Sequence, residues 1–137
     1  MASEILHGIQ EVPKPTTPIK RVEKYWGFMD TLHDDDSVTV KRIFMRAKTQ
    51  SSLEYHVKKT ESYYVERGTL KVGVRYARAK NAIVVLYPGD VFHIPPGLMH
   101  MRIAEEDCVI IETSSKDDDL DSHIVEDGTT YVHVVTP

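Results

Sequence analysis

The chain has 137 residues, 17 Lys and Arg against 21 Asp and Glu, a formal charge of −4 and a single cysteine. That length suits one domain with its own core, and one cysteine leaves no intrachain disulfide. The mixed charge has no basic stripe for nucleic acid, and no apolar run resembles a membrane span or a signal peptide, so we expect a cytoplasmic protein without nucleic-acid or membrane partners.

Residues 1–22 carry Pro13, Pro15 and Pro18 and little apolar pattern. They read as an extended arm, mobile or draped on a neighbouring subunit, ahead of a single domain over residues 23–137. HDDDS (His33 to Ser37) is an acidic turn. SVTVKRIF follows as an alternating strand, with Val38, Val40 and Ile43-Phe44 as its apolar positions.

The run SLEYHVKKTESYYVERG places Glu54 and His56 two apart, so on a strand both leave by one face. Lys58-Lys59-Thr60 makes a polar bend, and Glu61 opens the next strand, which ends at Gly68. TLKVGVRYARA and AIVVLYPGD continue as strands. In GDVFHIPPGLMH, Pro95 and Pro96 end a strand and Gly97 permits the reversal that sets His100 beside the corner. HMRIA and CVIIETS are further strands, the second burying Cys108 as an inert thiol. KDDDLDS (Lys116 to Ser122) reads as a solvated acidic loop. TYVHVV closes the chain as an edge strand, in its own sheet or a partner's, which leaves His123 and His133 at the surface or an interface. Many short strands and no helical period favour an all-β sandwich or barrel.

Glu54, His56, Glu61 and His100 thus form a candidate set of two imidazoles and two carboxylates. Such donors suit one divalent ion: zinc, manganese, iron, nickel or cobalt. Each residue alone reads equally as a solvated or hydrogen-bonded side chain. Their joint spacing carries the reading.

That spacing resembles the two motifs of the cupin superfamily. The family's first motif, G-x5-H-x-H-x3-4-E-x6-G, appears as Lys48, Glu54-x-His56, Glu61 and Gly68. Its second, G-x5-P-x-G-x2-H-x3-N, appears as Gly89, Pro95-x-Gly97, His100 and Ala104. The resemblance implies a double-stranded β-helix, the cupin jelly-roll barrel, with the metal in its mouth and a dry surround drawn from Phe44, Val65, Phe92 and Ile110. It also implies a homodimer, since cupins are often dimers.

Glu54 in place of the usual first histidine, Trp26-Gly27 in VEKYWGFMDTL, VKRIFMRA, IPPG before His100, and DSHIVEDG resemble one branch. That branch is the cupin-type mannose-6-phosphate isomerases, which also form the C-terminal domain of mannose-1-phosphate guanylyltransferases. It implies interconversion of mannose 6-phosphate and fructose 6-phosphate through an enediol, within carbohydrate metabolism. Glu54, His93 and Lys59 are the candidate catalytic groups. Lys58, Lys59 and Arg102 are candidates to neutralise the phosphate, and Tyr63 to line the sugar pocket. The branch's arginine directly after the last ligand is displaced here by Met101 to Arg102. Two other readings stay open: a non-catalytic metal cupin that binds a small ligand or sugar nucleotide, and an iron oxygenase using His56, Glu61 and His100.

Overall fold

The computed structural model describes residue 8 and residues 11–126. TYVHVV with His133, and the first seven residues of the expected arm, lie outside the described residues. Residues 12–18 run as an exposed segment without regular structure. The boundary expected at residue 22 falls inside the first strand.

Twelve strands follow in order: β1 (Lys20–Lys24), β2 (Gly27–Asp34), β3 (Val38–Met45), β4 (Thr49–Gln50), β5 (Leu53–Tyr55), β6 (Glu61–Arg67), β7 (Leu70–Ala77), β8 (Lys80–Leu86), β9 (Val91–Ile94), β10 (Met99–Ala104), β11 (Cys108–Ser115) and β12 (His123–Glu126). One 3₁₀ turn, Asp119–Asp121, precedes β12. Among the described residues no helix is long and apolar enough to cross a membrane.

The strands form two antiparallel sheets, ordered β1-β2-β3-β11-β6-β9 and β12-β5-β10-β7-β8, with β4 paired to β10. Strands distant in sequence are neighbours, as in β3 beside β11 and β5 beside β10. The result is a jelly-roll barrel. Its inner faces follow the two-residue period of a pleated strand. Tyr63 and Val65 of β6, Leu70, Val72 and Val74 of β7, and Ile110 of β11 form the core, with Phe92 packed against it. Cys108 joins them, its Sγ donating to Thr69 O at 3.1 Å. Burial, with Glu106 and Asp107 nearby, pushes its thiol up to about 11, as an inert buried thiol requires.

The apolar residues of β3 fall on both parities, and only one parity faces inward. Thr39, Ile43 and Met45 are buried. Phe44 is half-buried on the outer face, 5.3 Å from the Phe28 ring. Phe44 is therefore not part of the dry surround. Lys41, on the inward parity, lines the central cleft instead.

Two turns carry positive φ that the motif comparison explains. Lys48, where the cupin motif has glycine, sits at φ +64°. Gly68 sits at φ +79°, and a Cβ there would lie 2.2 Å from Asp107 O. Lys48→Gly should therefore raise stability by up to about 1 kcal/mol, because a left-handed residue with a Cβ is strained. Gly68→Ala should lower it by about 2 kcal/mol or more, because both strain and overlap are introduced. Thermal denaturation of the two variants checks both signs.

Candidate metal centre

The site is built where the inward polar residues of β5, β6, β10 and β11 meet. β5 and β10 pair so that Glu54 stands opposite His100. β5 ends at Tyr55, and His56 follows it, still on the inward side and only 3% exposed. Glu61 opens β6 and is buried beside both imidazoles. Its Oε1 is 2.9 Å from His56 Nε2 and 3.1 Å from His100 Nε2. Glu54 Oε1 lies 3.8 Å from His56 Nε2, on the open side of the group. The ligand atoms of Glu54, His56 and His100 all lie within 4.8 Å of one another.

His56 Nε2, His100 Nε2 and Glu61 Oε1 are buried, and none makes an aligned hydrogen bond. They face a shared point without satisfying one another. Leaving three such atoms orphaned is costly. The other ring nitrogens are both occupied. His56 Nδ1 lies 3.0 Å from Asp121 O, and His100 Nδ1 lies 2.9 Å from Leu98 O. A carbonyl can only accept, so each Nδ1 carries the proton and each Nε2 presents its lone pair. The residues present fit a divalent cation: Glu54, His56 and His100 could hold one, and Glu61 Oε1 stands beside both imidazoles.

The electrostatics favour the same reading. Burial opposes ionisation of Glu61, but Glu112 and the two imidazoles outweigh it and hold its carboxyl well below the usual range. Burial together with the Glu61 charge pushes Glu112 of β11 well above that range. Burial also works against the charge on Lys59, and Glu112, Glu61 and Asp117 more than restore it.

The remaining candidates divide. Tyr63 is fully buried, and its hydroxyl accepts from Arg102 Nη1 at 3.1 Å. Arg102 points inward on the same parity as His100 and lines the cleft. The one-residue displacement thus keeps the guanidinium inside the barrel. Lys59 also lines the cleft, but its Nζ is taken by Asp117 Oδ1 at 2.9 Å. Lys58 is exposed in the bend and does not line the cleft. His93 is exposed as well. It pairs with Ser62 across β6 and β9, and Ser62 Oγ meets its Nδ1 at 3.3 Å on the outer face. It faces away from the ligand set.

Three contributors escaped the sequence reading. Glu112 is a lone acid in an apolar strand, which was the available signal. Asp117 binds both Lys59 and Lys41, at 2.9 and 2.7 Å. Burial is outweighed by these lysines, which hold its carboxyl at about 2. Asp121 accepts the backbone N–H of Val57 at 2.8 Å, of Lys58 at 3.1 Å and of Lys59 at 2.9 Å. The segment expected to be a solvated loop is thus fastened to the metal half-site. His123 packs flat on Tyr55, 5.0 Å between centroids.

Two outcomes follow for metal binding. Burial lowers the basicity of His56, but Glu61 outweighs it and the net shift is upward, so protons compete with the ion there. Affinity for zinc should rise from about pH 5 to about pH 8 and then level off, measured by competition with a chelating dye. Asp121→Ala should weaken zinc binding by about 10- to 100-fold, because the bend that holds His56 loses its anchor. Asp121→Asn, which keeps one acceptor oxygen, should fall between.

A cleft of about 270 Å³ opens over the cluster, lined by Trp26, Ser51, Glu54, His56, Lys59, Arg102 and Glu112 among others. Comparison with functionally curated proteins finds no match. Among solved structures, KdgF from Halomonas sp. is 19% identical with a TM-score of 0.64, over 73% of this chain and 90% of KdgF. The capsular polysaccharide assembling protein CapF from Staphylococcus aureus is 19% identical with a TM-score of 0.68. That match covers 81% of this chain but 32% of CapF. PAC13 from Streptomyces, solved with uridine, is 18% identical with a TM-score of 0.67, over 79% of this chain and 85% of PAC13. At these identities the likeness is one of fold. The family description Cupin matches residues 34–136, and the chain belongs to the cupin family.

Proposed function

We propose that the protein is a metal-dependent aldose–ketose isomerase acting on a small anionic sugar. The observation that carries this is the convergence of His56 Nε2, His100 Nε2 and Glu61 Oε1, each buried and unsatisfied, at the floor of an open cleft. A divalent cation bound there supplies Lewis acidity toward a substrate carbonyl and hydroxyl.

The chain's own residues account for the rest. Glu54 is the carboxylate with most freedom, its side chain 27% exposed at the cleft. It is placed to take a proton from one carbon and return it to the next, through an enediol. His93 is not available for this, because it faces outward. Lys59 keeps its charge close to Glu61, with Nζ 4.0 Å from Oε2, and so helps hold that donor ionised. Arg102 is the inward cation that remains for the substrate's negative group. CapF is named for capsular polysaccharide assembly, and PAC13 was solved with uridine, a ribose-bearing ligand; both names support a sugar-like substrate. The homodimer and the cytoplasmic setting belong to the same reading and are supported by the sequence alone.

The outward His93 and the pairing of Lys59 with Asp117 favour a second reading, a metal cupin that binds such a ligand without turnover. One assay separates the two. Protein loaded in turn with zinc, manganese, iron, cobalt and nickel is given mannose 6-phosphate, mannuronate and neutral mannose. The expected result is ketose formation from an anionic aldose, reduced by about 10²-fold or more in Glu54→Gln. Binding without ketose from any of them leaves the binding module.

A further inference from the structure

Arg102 is a buried cation whose partners do not complete it. It is 6% exposed, with its guanidinium 4.9 Å over the Trp26 ring and 5.7 Å from that of Tyr63. Nη1 donates to the Tyr63 hydroxyl, and the backbone N–H of Arg102 donates to Ser51 Oγ. Nε is buried with no partner. The nearby carboxylates are turned elsewhere among the described residues: Asp117 pairs with Lys41 and Lys59, and Glu61 Oε1 faces the two imidazoles. Glu112 and Glu54 reach the guanidinium only through space. A charged group held this way, out of water and against an aromatic face, is set to receive an anion.

The cleft also limits what that anion is. Lys41 and Lys59 are spent on Asp117, Lys58 does not line the cleft, and Lys24 stands exposed at the rim. One edge of one guanidinium is left inside. Its two parallel N–H groups match the two oxygens of a carboxylate. A phosphate dianion would bring a second charge into a cleft that also holds Glu54 and has no second inward cation to spare.

We propose that the Nε edge of Arg102 is a subsite for the carboxylate of a small hydroxylated acid, so that the anionic sugar read by this cleft is a sugar acid rather than a sugar phosphate. This rests on reading the cleft as a ligand site, but not on the metal.

Trp26 is the chain's only tryptophan and lies under the guanidinium, so its fluorescence reports on the subsite directly. Chelator-treated full-length protein is titrated with gluconate, glucose 6-phosphate and glucose at constant ionic strength. Gluconate should change Trp26 emission saturably, glucose 6-phosphate should bind at least about tenfold more weakly, and glucose should give no response. Arg102→Lys, which keeps the charge and loses the fork, should weaken gluconate by about tenfold or more. Should that variant fail to fold, the wild-type ranking of the three probes decides alone. Phosphate binding as tight as gluconate, a gluconate response unchanged in a folded Arg102→Lys variant, or no response at all overturns the subsite. A gluconate response that holds while turnover is absent with every metal removes the isomerase and leaves the subsite standing. The converse result does the opposite.

Discussion

Two hydrogen bonds on the far side of the imidazoles decide what this barrel can hold. Asp121 O and Leu98 O each take the proton of an Nδ1, which fixes both tautomers and turns both Nε2 lone pairs toward Glu61. Neither acceptor belongs to a regular strand interior. Leu98 sits at the Pro95-Pro96-Gly97 corner, and Asp121 ends the short 3₁₀ turn before β12. The strands set the distance between the donors, while two turns set their direction. The corner and the half-site also touch directly, since Gly97 N donates to His56 O at 2.6 Å.

The barrel has an apolar part and a polar part, and both come from the same strands. Along β6 the inward residues run Val65, Tyr63, Glu61, and along β11 they run Ile110, Glu112, Ser114. One end is filled by packed apolar side chains, and the other carries a chain of charges beneath the open cleft. Glu61 is held low while its neighbour Glu112 is pushed up, Lys59 keeps its charge beside Glu61 and Asp117, and Asp117 in turn is held by Lys41. Burying such a set lowers the stability the core could otherwise provide. What is gained is a rigid array of donors that needs little rearrangement to receive a ligand.

The parts legible in sequence were those encoded by local chemistry. Pro95, Pro96 and Gly97 can make only a corner, and Glu54-x-His56 keeps one face whether or not the strand continues through it. β6, β7, β10 and β11 were legible as short strand-like runs between turn signals. The errors share one cause, which is that parity is relative. Phe44 looked like part of the inner face because it is apolar, yet Ile43 on the other parity is the buried one, with Thr39 and Lys41 inward beside it at the polar end of the barrel. His93 went outward by the same logic. The acidic segment was illegible for a different reason. Its partners, Lys41 and Lys59, are 76 and 58 positions away, and a run of aspartates looks the same whether it meets water or lysine.

Cys108 offers a practical opening. Its thiol is enclosed, engaged with Thr69 O and far from ionised at neutral pH. Thiol-directed reagents will therefore pass it by in the folded protein. A cysteine introduced at an exposed position such as Tyr76 or Leu120 would be the sole target, so a spin label or fluorophore can be placed there without first removing the native sulfur.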